Sequence, residues 1–342
     1  MEKGHYTKQE IYSQPQAWQE ALKVIKNASR EISDIQARLS FQQVIFTGCG
    51  STYYLALAAA AINQKITGLQ SRAFPASELW LNPESSYSDT PTLLVAVSRS
   101  GETTETLHAC KYHLEKSHGP LLTLSCYAEM PLAGLGSTNL VFPSGQEKSI
   151  AQTRAFSTLF LASVAISCMW AKRVDLMEAL NRLPEAGSRL IGAYSGLAAE
   201  LGRNMDTDRF YWLGSGSRYG LASELSLKMK EMSLSHSEPF HFMEFRHGPI
   251  SMVNPSTLVV GLTSAKNESN EHQVLQDIRH LGGKTVDLSE HGATVEFNSG
   301  LDESIRDVLY LPFGQILAFE RSIAKGFEPD KPNNLNAVVK LG

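Results

Sequence analysis

The 342-residue sequence is long enough for two domains of ordinary size, each able to bury its own core. A hydrophobic fraction of 42% and a charged fraction of 19% are those of ordinary globular proteins, and a formal net charge of -4 provides no bulk attraction to nucleic acid or anionic lipid. The opening residues MEKGHYTKQEIYSQ hold no apolar core of the signal-peptide kind, and the best apolar run, Leu159 to Trp170, is shorter than the ~20 residues a bilayer span needs. Neither membrane nor nucleic acid is therefore an expected partner. Cys49, Cys110, Cys126 and Cys168 lie in apolar or tight-turn contexts without CxxC spacing, so neither a disulfide framework nor a zinc ribbon is expected, and a cytoplasmic location fits.

In chain order, an amphipathic helix is predicted from Pro15 to Leu39 within a helical segment, residues 1–40. VIFTGCGSTYYLALA then reads as strand, glycine turn and helix. A strand around Ser71 to Phe74 follows, then a strand from Leu93 to Val97, a helix from Thr103 to Glu115, and strands at Leu121–Ser125 and Leu140–Phe142. Residues 155–205 read as largely helical with an interruption near Pro184, placing a boundary around 175–190. Beyond it, strands are expected at Phe210–Leu213, Thr257–Leu262, Lys284–Leu288 and Val308–Leu311. Helices are expected at Ser217–Met232, Asn270–Leu281 and Gln315–Lys325. The tail 327–342, with Pro329 and Pro332, is expected to run extended. Strand and helix alternate twice in the manner of an α/β, doubly wound parallel sheet, giving domains at 41–180 and 181–326.

The two halves repeat each other. Gly48, Gly50, Ser51, Tyr53, Leu55 and Ala56 match Gly214, Gly216, Ser217, Tyr219, Leu221 and Ala222 without a gap, nearly half the chain later. Dinucleotide binding wants GxGxxG and an acidic residue after the next strand; GCGSTY lacks the third glycine, GSGSRYG spaces it wrongly, and Arg72, Ala73 and Phe74 provide no carboxylate. No nucleotide cofactor is expected. SRSGET, residues 98–103, instead crowds Ser98, Ser100, Thr103 and the following Thr104 onto a glycine turn between a strand and a helix. Free backbone N–H groups and the helix dipole favour a phosphate there, whereas the plainer reading is that Ser100 or Thr103 caps the helix. Arg99 either adds charge to that cradle or is solvated.

GCGST, SRSGETTET, IAQTRAF, ELSLKMKEM and EFRHGP stand in the order and spacing of the sugar-isomerase (SIS) domains of glucosamine-6-phosphate synthase and its relatives, which the chain resembles over nearly its whole length. The resemblance implies two tandem SIS domains of flavodoxin-like fold with a phosphorylated sugar bound between them. It also implies isomerisation of a phosphosugar, deamination of an aminosugar phosphate, or deglycation of a fructosamine 6-phosphate, with no cofactor or metal. Aldose–ketose interconversion needs a base that moves a proton between C1 and C2 and an acid–base group for the ring oxygen. Glu224, Lys228 and Glu231, at i, i+4 and i+7, share one helix face, which on a lone helix reads as a solvated ion-pair stripe. By the resemblance Glu231 is the base, Lys228 lines the sugar site, and Glu224 is a polar contact near it.

His247 matches the ring-opening histidine that reaches into a neighbouring subunit's site, implying a homodimer; its plainer fate is a loop histidine held by hydrogen bonds. His241, Glu244 and His247 have an HxxExxH spacing, but i+6 drifts off the helix face that i and i+3 share, so no metal is expected. Phosphate and hydroxyl contacts are expected from Gly50, Ser51, Thr52, Ser98, Arg99, Ser100 and Thr103, and backbone contacts from Ile150 and Ala151. Gln152 stands where the synthase has serine, and Ala337 falls where it has a tail lysine, with Lys340 out of register. No glutaminase region is expected in this chain. The leading expectation is an aminosugar 6-phosphate deaminase or isomerase; the rivals are a fructosamine-6-phosphate deglycase and a non-catalytic phosphosugar-binding regulator. Regulators of that kind usually join a single SIS domain to a helix-turn-helix, and this sequence has two halves and no basic DNA-reading segment.

Overall fold

The computed structural model describes residues 2–38, 41–116 and 118–338. Three helices open the chain: α1 (His5–Tyr12), α2 (Gln14–Asn27) and α3 (Ser29–Arg38). The single helix expected over 15–39 is thus two, broken at Ala28 between Asn27 and Ser29, whose side chains compete with helical backbone bonds, and Leu39 lies outside the described residues. Pro15 sits in the first turn of α2, where a missing N–H costs nothing.

Contacts divide the chain into two units. The first comprises Gln16–Glu147, Arg154–Asn181 and the tail from Asn336; the second comprises the N-terminal segment to Pro15, Lys148–Thr153 and Arg182–Leu335. In the first, β1 (Gln43–Gly48), α4 (Ser51–Thr67), β2 (Gln70–Pro75), the short helices α5 (Glu78–Leu81) and α6 (Pro83–Ser86), β3 (Thr92–Ser98), α7 (Thr104–Glu115), β4 (Leu121–Ser125) and β5 (Thr138–Val141) follow one another. The strands form one parallel sheet in the order β2-β1-β3-β4-β5. Every residue of β1, β3 and β4 is buried, as a parallel sheet covered on both faces requires, and α8 (Arg154–Trp170) packs on α4. α9 (Val174–Ala179) closes the unit.

α10 (Leu183–Arg203) carries Pro184 in its first turn, so the expected interruption is a helix start. The second unit continues with β6 (Arg209–Gly214), α11 (Ser217–Ser233), β7 (His236–Phe240), α12 (Phe242–Phe245), β8 (Thr257–Leu262), α13 (Glu268–His280), β9 (Lys284–Ser289), β10 (Val295–Glu296) and α14 (Leu311–Ala324). Its parallel strands run β7-β6-β8-β9-β10, the first sheet's order repeated. β7 is not among the expected strands; its Pro239 argues against a central strand and is tolerated at the sheet's edge. The strand expected at Val308–Leu311 is instead a 3-10 turn leading into α14, since a short apolar run buried on every side reads alike as strand or helix. Among the described residues no helix is long and apolar enough to cross a membrane, and the four cysteines are free thiols.

The repeated glycines have the same two tasks in each unit. A Cβ on Gly48 would lie 2.7 Å from the Thr52 carbonyl carbon, and one on Gly214 would lie 2.4 Å from the Arg218 carbonyl oxygen, so the first glycine lets helix and strand close up. Gly50 (φ 54°, ψ -121°) and Gly216 (φ 61°, ψ -130°) turn the chain into α4 and α11 through a conformation that side chains disfavour.

His113 on α7 is fully buried, with Nε2 3.1 Å from the Pro120 carbonyl and a stacked Tyr87–His118 pair (4.0 Å, 3°) beside it. Burial, joined by repulsion from His118, lowers its pKa from 6.5 to about 4 against the opposing Pro120 bond. Neutral in the fold and titrating normally when unfolded, His113 stabilises fully above pH 6.5 and loses that contribution as the pH falls towards about 4. Urea unfolding at pH 7 and pH 4 should differ by about 3 kcal/mol more in the parent than in His113→Gln. Equal pH dependence in the two would contradict this assignment.

Candidate active site

In the first unit, two strand-to-helix turns leave the carboxyl ends of β1 and β3, adjacent strands at the point where the sheet order reverses. Crevices at such switch points are where open α/β sheets take ligands. In the turn after β3, the hydroxyls of Ser98, Ser100 and Thr103 form a triangle. Ser98 lies 3.5 Å from Ser100 and 3.3 Å from Thr103, and Ser100 lies 3.5 Å from Thr103. Gly101 N–H donates to Ser98 Oγ (3.1 Å) and Glu102 N–H to Ser100 Oγ (3.3 Å). Thr103 is the N-cap residue of α7 yet makes no side-chain cap, so its hydroxyl faces the other two instead of the helix amides. The capping explanation fails for Thr103.

Other expected ligands are placed differently. Thr52 Oγ1 donates to the Cys49 carbonyl (3.0 Å) and accepts from Cys49 N–H (2.9 Å), so it closes its own turn. Ser51 is buried at the start of α4, directly after Gly50. Arg99 is not a solvated side chain: it is buried, pairs with Glu147 at 3.3 Å, and donates to the Ala337 carbonyl at 3.2 Å. Glu147 in turn accepts from Ala155 N–H at the start of α8 (3.1 Å). Nothing in the spacing of Glu147 marked it; it is a lone acid in an irregular stretch.

In the second unit, α11 carries the charged stripe. Lys228 and Glu224 have side chains 0% exposed and Glu231 is 19% exposed, so the solvated-face reading fails and only Glu231 reaches the surface. Lys228 Nζ lies 3.3 Å from Glu224 and 2.5 Å from Glu231. Burial alone would lower the lysine's pKa, but the two carboxylates outweigh it and raise it, so Lys228 is a fixed cation. α11 is held by α14, whose Gly314 leaves room for Leu225, where a Cβ would come within 2.7 Å, and whose Ser322 hydroxyl bonds the Met232 carbonyl at 2.7 Å.

His247 lies on an exposed turn beyond α12, and among the described residues its ring has no hydrogen-bond partner. His241 stacks on Tyr219 (4.0 Å, 16°), and among the described residues no three metal-ligating side chains gather. Ile150 and Ala151 lie in the irregular segment 148–153, where Ile150 N–H donates to the Asp330 carbonyl (3.0 Å). Gln152 keeps a buried Oε1 without a hydrogen-bond partner among the described residues. Lys340 lies outside the described residues.

The turn after β8 is the second unit's counterpart of the hydroxyl turn, and a carboxylate occupies it. Glu271, buried, accepts from Ser264 N–H at 2.6 Å and pairs with Arg218 at 3.9 Å. The internal acid takes there the amide that an incoming anion would use.

The SIS domain family matches residues 40–167 and 205–294, one segment in each half and together well over half of the chain. The chain belongs to the SIS domain family. Similar SIS proteins include the glutamine–fructose-6-phosphate aminotransferase (isomerizing) of Methanothermobacter thermautotrophicus, 27% identical over 370 residues that cover 99% of this chain and 58% of that protein. The enzyme of the same name from Pseudomonas aeruginosa is 27% identical over 371 residues, covering 98% and 59%. The chain thus spans about three fifths of the length of these relatives. Among solved structures, glucosamine-6-phosphate deaminase from Thermotoga maritima superposes with a TM-score of 0.82 at 26% identity, covering 98% of this chain and 100% of that one. Tagatose-6-phosphate ketose/aldose isomerase from Escherichia coli gives 0.86 at 21% identity, covering 97% and 96%, a likeness of fold.

Proposed function

We propose that this SIS protein is an enzyme of the phosphosugar isomerase and deaminase class, acting on an aminosugar 6-phosphate. The observation that carries the reading is the α11 stripe: a buried cation held between two acids, of which only Glu231 presents its carboxylate to solvent. The names of the relatives point the same way, since a glucosamine-6-phosphate deaminase and isomerizing aminotransferases lie among them. The hydroxyl turn of Ser98, Ser100 and Thr103 takes the phosphate; Gly50 and Ser51 line the neighbouring turn, and Ile150 and Ala151 offer backbone groups to the sugar. Thr52 and Arg99 act from behind these turns, through the bonds described above.

Glu231 removes the proton from C2 of the ring-opened sugar and returns it at C1, and Lys228 holds that carboxylate in place. The resulting C2 imine takes up water, so that aminosugar phosphate plus water become ketose phosphate plus ammonia. Ring opening falls to His247, whose exposed imidazole, without a hydrogen-bond partner among the described residues, suits a site completed by a second copy of the chain. The reading therefore includes a homodimer.

Incubating the protein with glucosamine-, galactosamine-, fructosamine- and tagatose-6-phosphate, and measuring ammonia, amino acid and sugar products, tests it. Ammonia from an aminosugar phosphate is expected; amino acid release from an amino-acid adduct instead would make it a deglycase, and no turnover of any substrate would sink the enzymatic reading. Ser100→Ala should raise KM about 10-fold with kcat nearly kept, the loss of roughly one charge-assisted hydrogen bond. An unchanged KM would remove the turn from the binding site.

A further inference from the structure

We infer that Glu10 on α1 and Asp330 in the tail are positioning residues for the segment Lys148–Ala151, which rests on the reading that this segment meets the sugar. The segment has no regular secondary structure, yet Ser149 and Ala151 are 2% exposed, so its backbone polar groups must find partners inside the protein. Two acids supply them. The Glu10 carboxylate, itself 4% exposed, accepts from Lys148 N–H at 2.6 Å and Ser149 N–H at 3.3 Å with one oxygen, and from the Ser149 hydroxyl with the other. The same hydroxyl lies 3.0 Å from the Ala151 carbonyl. One carboxylate facing consecutive amides fixes the peptide planes on both sides of Lys148, a stronger constraint than neutral partners impose.

The other side is held by the tail. The Asp330 carbonyl accepts from Ile150 N–H at 3.0 Å, while its carboxylate accepts from Tyr6 N–H (3.1 Å), Thr7 N–H (2.7 Å) and the Thr7 hydroxyl (2.7 Å). These are first-turn amides of α1, which has no cap of its own, so the tail acid satisfies the helix start and its dipole. Glu328 locks the tail by accepting from Gly4 N–H (2.8 Å) and Asp330 N–H (3.1 Å). At the far end Gln315 on α14 donates to the Thr153 carbonyl at 3.2 Å. α1 packs on α14, and α14 on α11, so one helix supports both the segment and the helix that carries Glu231. The N-terminal helix and the tail are thereby joined to the site without either acid touching the sugar.

The test compares the parent with Glu10→Ala, Glu10→Gln and Asp330→Asn in steady-state turnover of glucosamine 6-phosphate and in amide hydrogen exchange. Turnover by the parent is measured first, and its absence across the sugar phosphates named above is the failure of the functional reading, seen before any variant is made. With an active parent, Glu10→Ala should lose about 10- to 100-fold in kcat/KM, the scale of a misplaced contact remote from the chemistry. Exchange should quicken at 148–151 and stay unchanged in α11. A smaller loss in the same direction is expected for Glu10→Gln, which keeps one acceptor, and this variant with Asp330→Asn carries the test if Glu10→Ala does not fold. Parental kcat/KM in the folded variants, with only a lowered Tm, overturns the positioning role, and so does unchanged exchange at 148–151.

Discussion

Replacing Glu231 by Gln should lower turnover of a phosphorylated sugar by about 10²- to 10⁴-fold while leaving its binding within a few-fold. The amide matches the carboxylate in shape and can still accept a hydrogen bond from Lys228, so α11 keeps its packing, but it has no basic site for the C2 proton. Glu231 is the member of the stripe whose side chain is partly exposed, at 19%, whereas Glu224 and Lys228 are sealed at 0%. Steady-state kcat and calorimetric binding of the same sugar phosphate separate the two effects. Full activity in Glu231→Gln would require another base, and the other acid on this face of the helix, Glu224, is sealed from the surface.

Lys228→Met should cost about 3 to 5 kcal/mol of stability, because it withdraws the cation facing a fully buried carboxylate. Lys228 Nζ lies 3.3 Å from Glu224 and 2.5 Å from Glu231, and the pair raises its pKa in spite of burial. Urea unfolding reads the loss directly. The double variant Glu224→Gln/Lys228→Met should recover most of it, since neutral groups of similar volume need no counter-charge. If the single variant unfolds with the parental midpoint, the stripe does not hold a buried ion pair in solution.

What was legible in the sequence followed from backbone demands. Gly48 and Gly50, and their repeats Gly214 and Gly216, stand out because only glycine permits the close approach and the positive φ that these turns need. β3 and β4, wholly buried, announced themselves as continuous apolar runs. What stayed hidden depended on distant partners. Charges at i, i+4 and i+7 look alike on a solvated and on a buried helix, so the sealing of Glu224 and Lys228 cannot be read from α11 alone. Glu10 meets Ser149 and Arg99 meets Glu147 across long stretches of chain, and no local pattern records either meeting. The apolar residues at Val308–Leu311 were readable as buried but not as helix, because burial on every side erases the period that separates the two. Glu271 was equally silent: an acid in the first turn of α13 is ordinary, and only its bond to Ser264 N–H reveals that it fills the second unit's turn.

The most direct measurement is proton exchange at carbon. In deuterated water the protein should introduce solvent deuterium at C1 or C2 of glucosamine 6-phosphate, followed by nuclear magnetic resonance, while the Glu231→Gln variant and the unphosphorylated sugar give none. Absence of carbon-bound deuterium with any of the four sugar phosphates, or equal incorporation by Glu231→Gln, would contradict the assignment of Glu231 as the base.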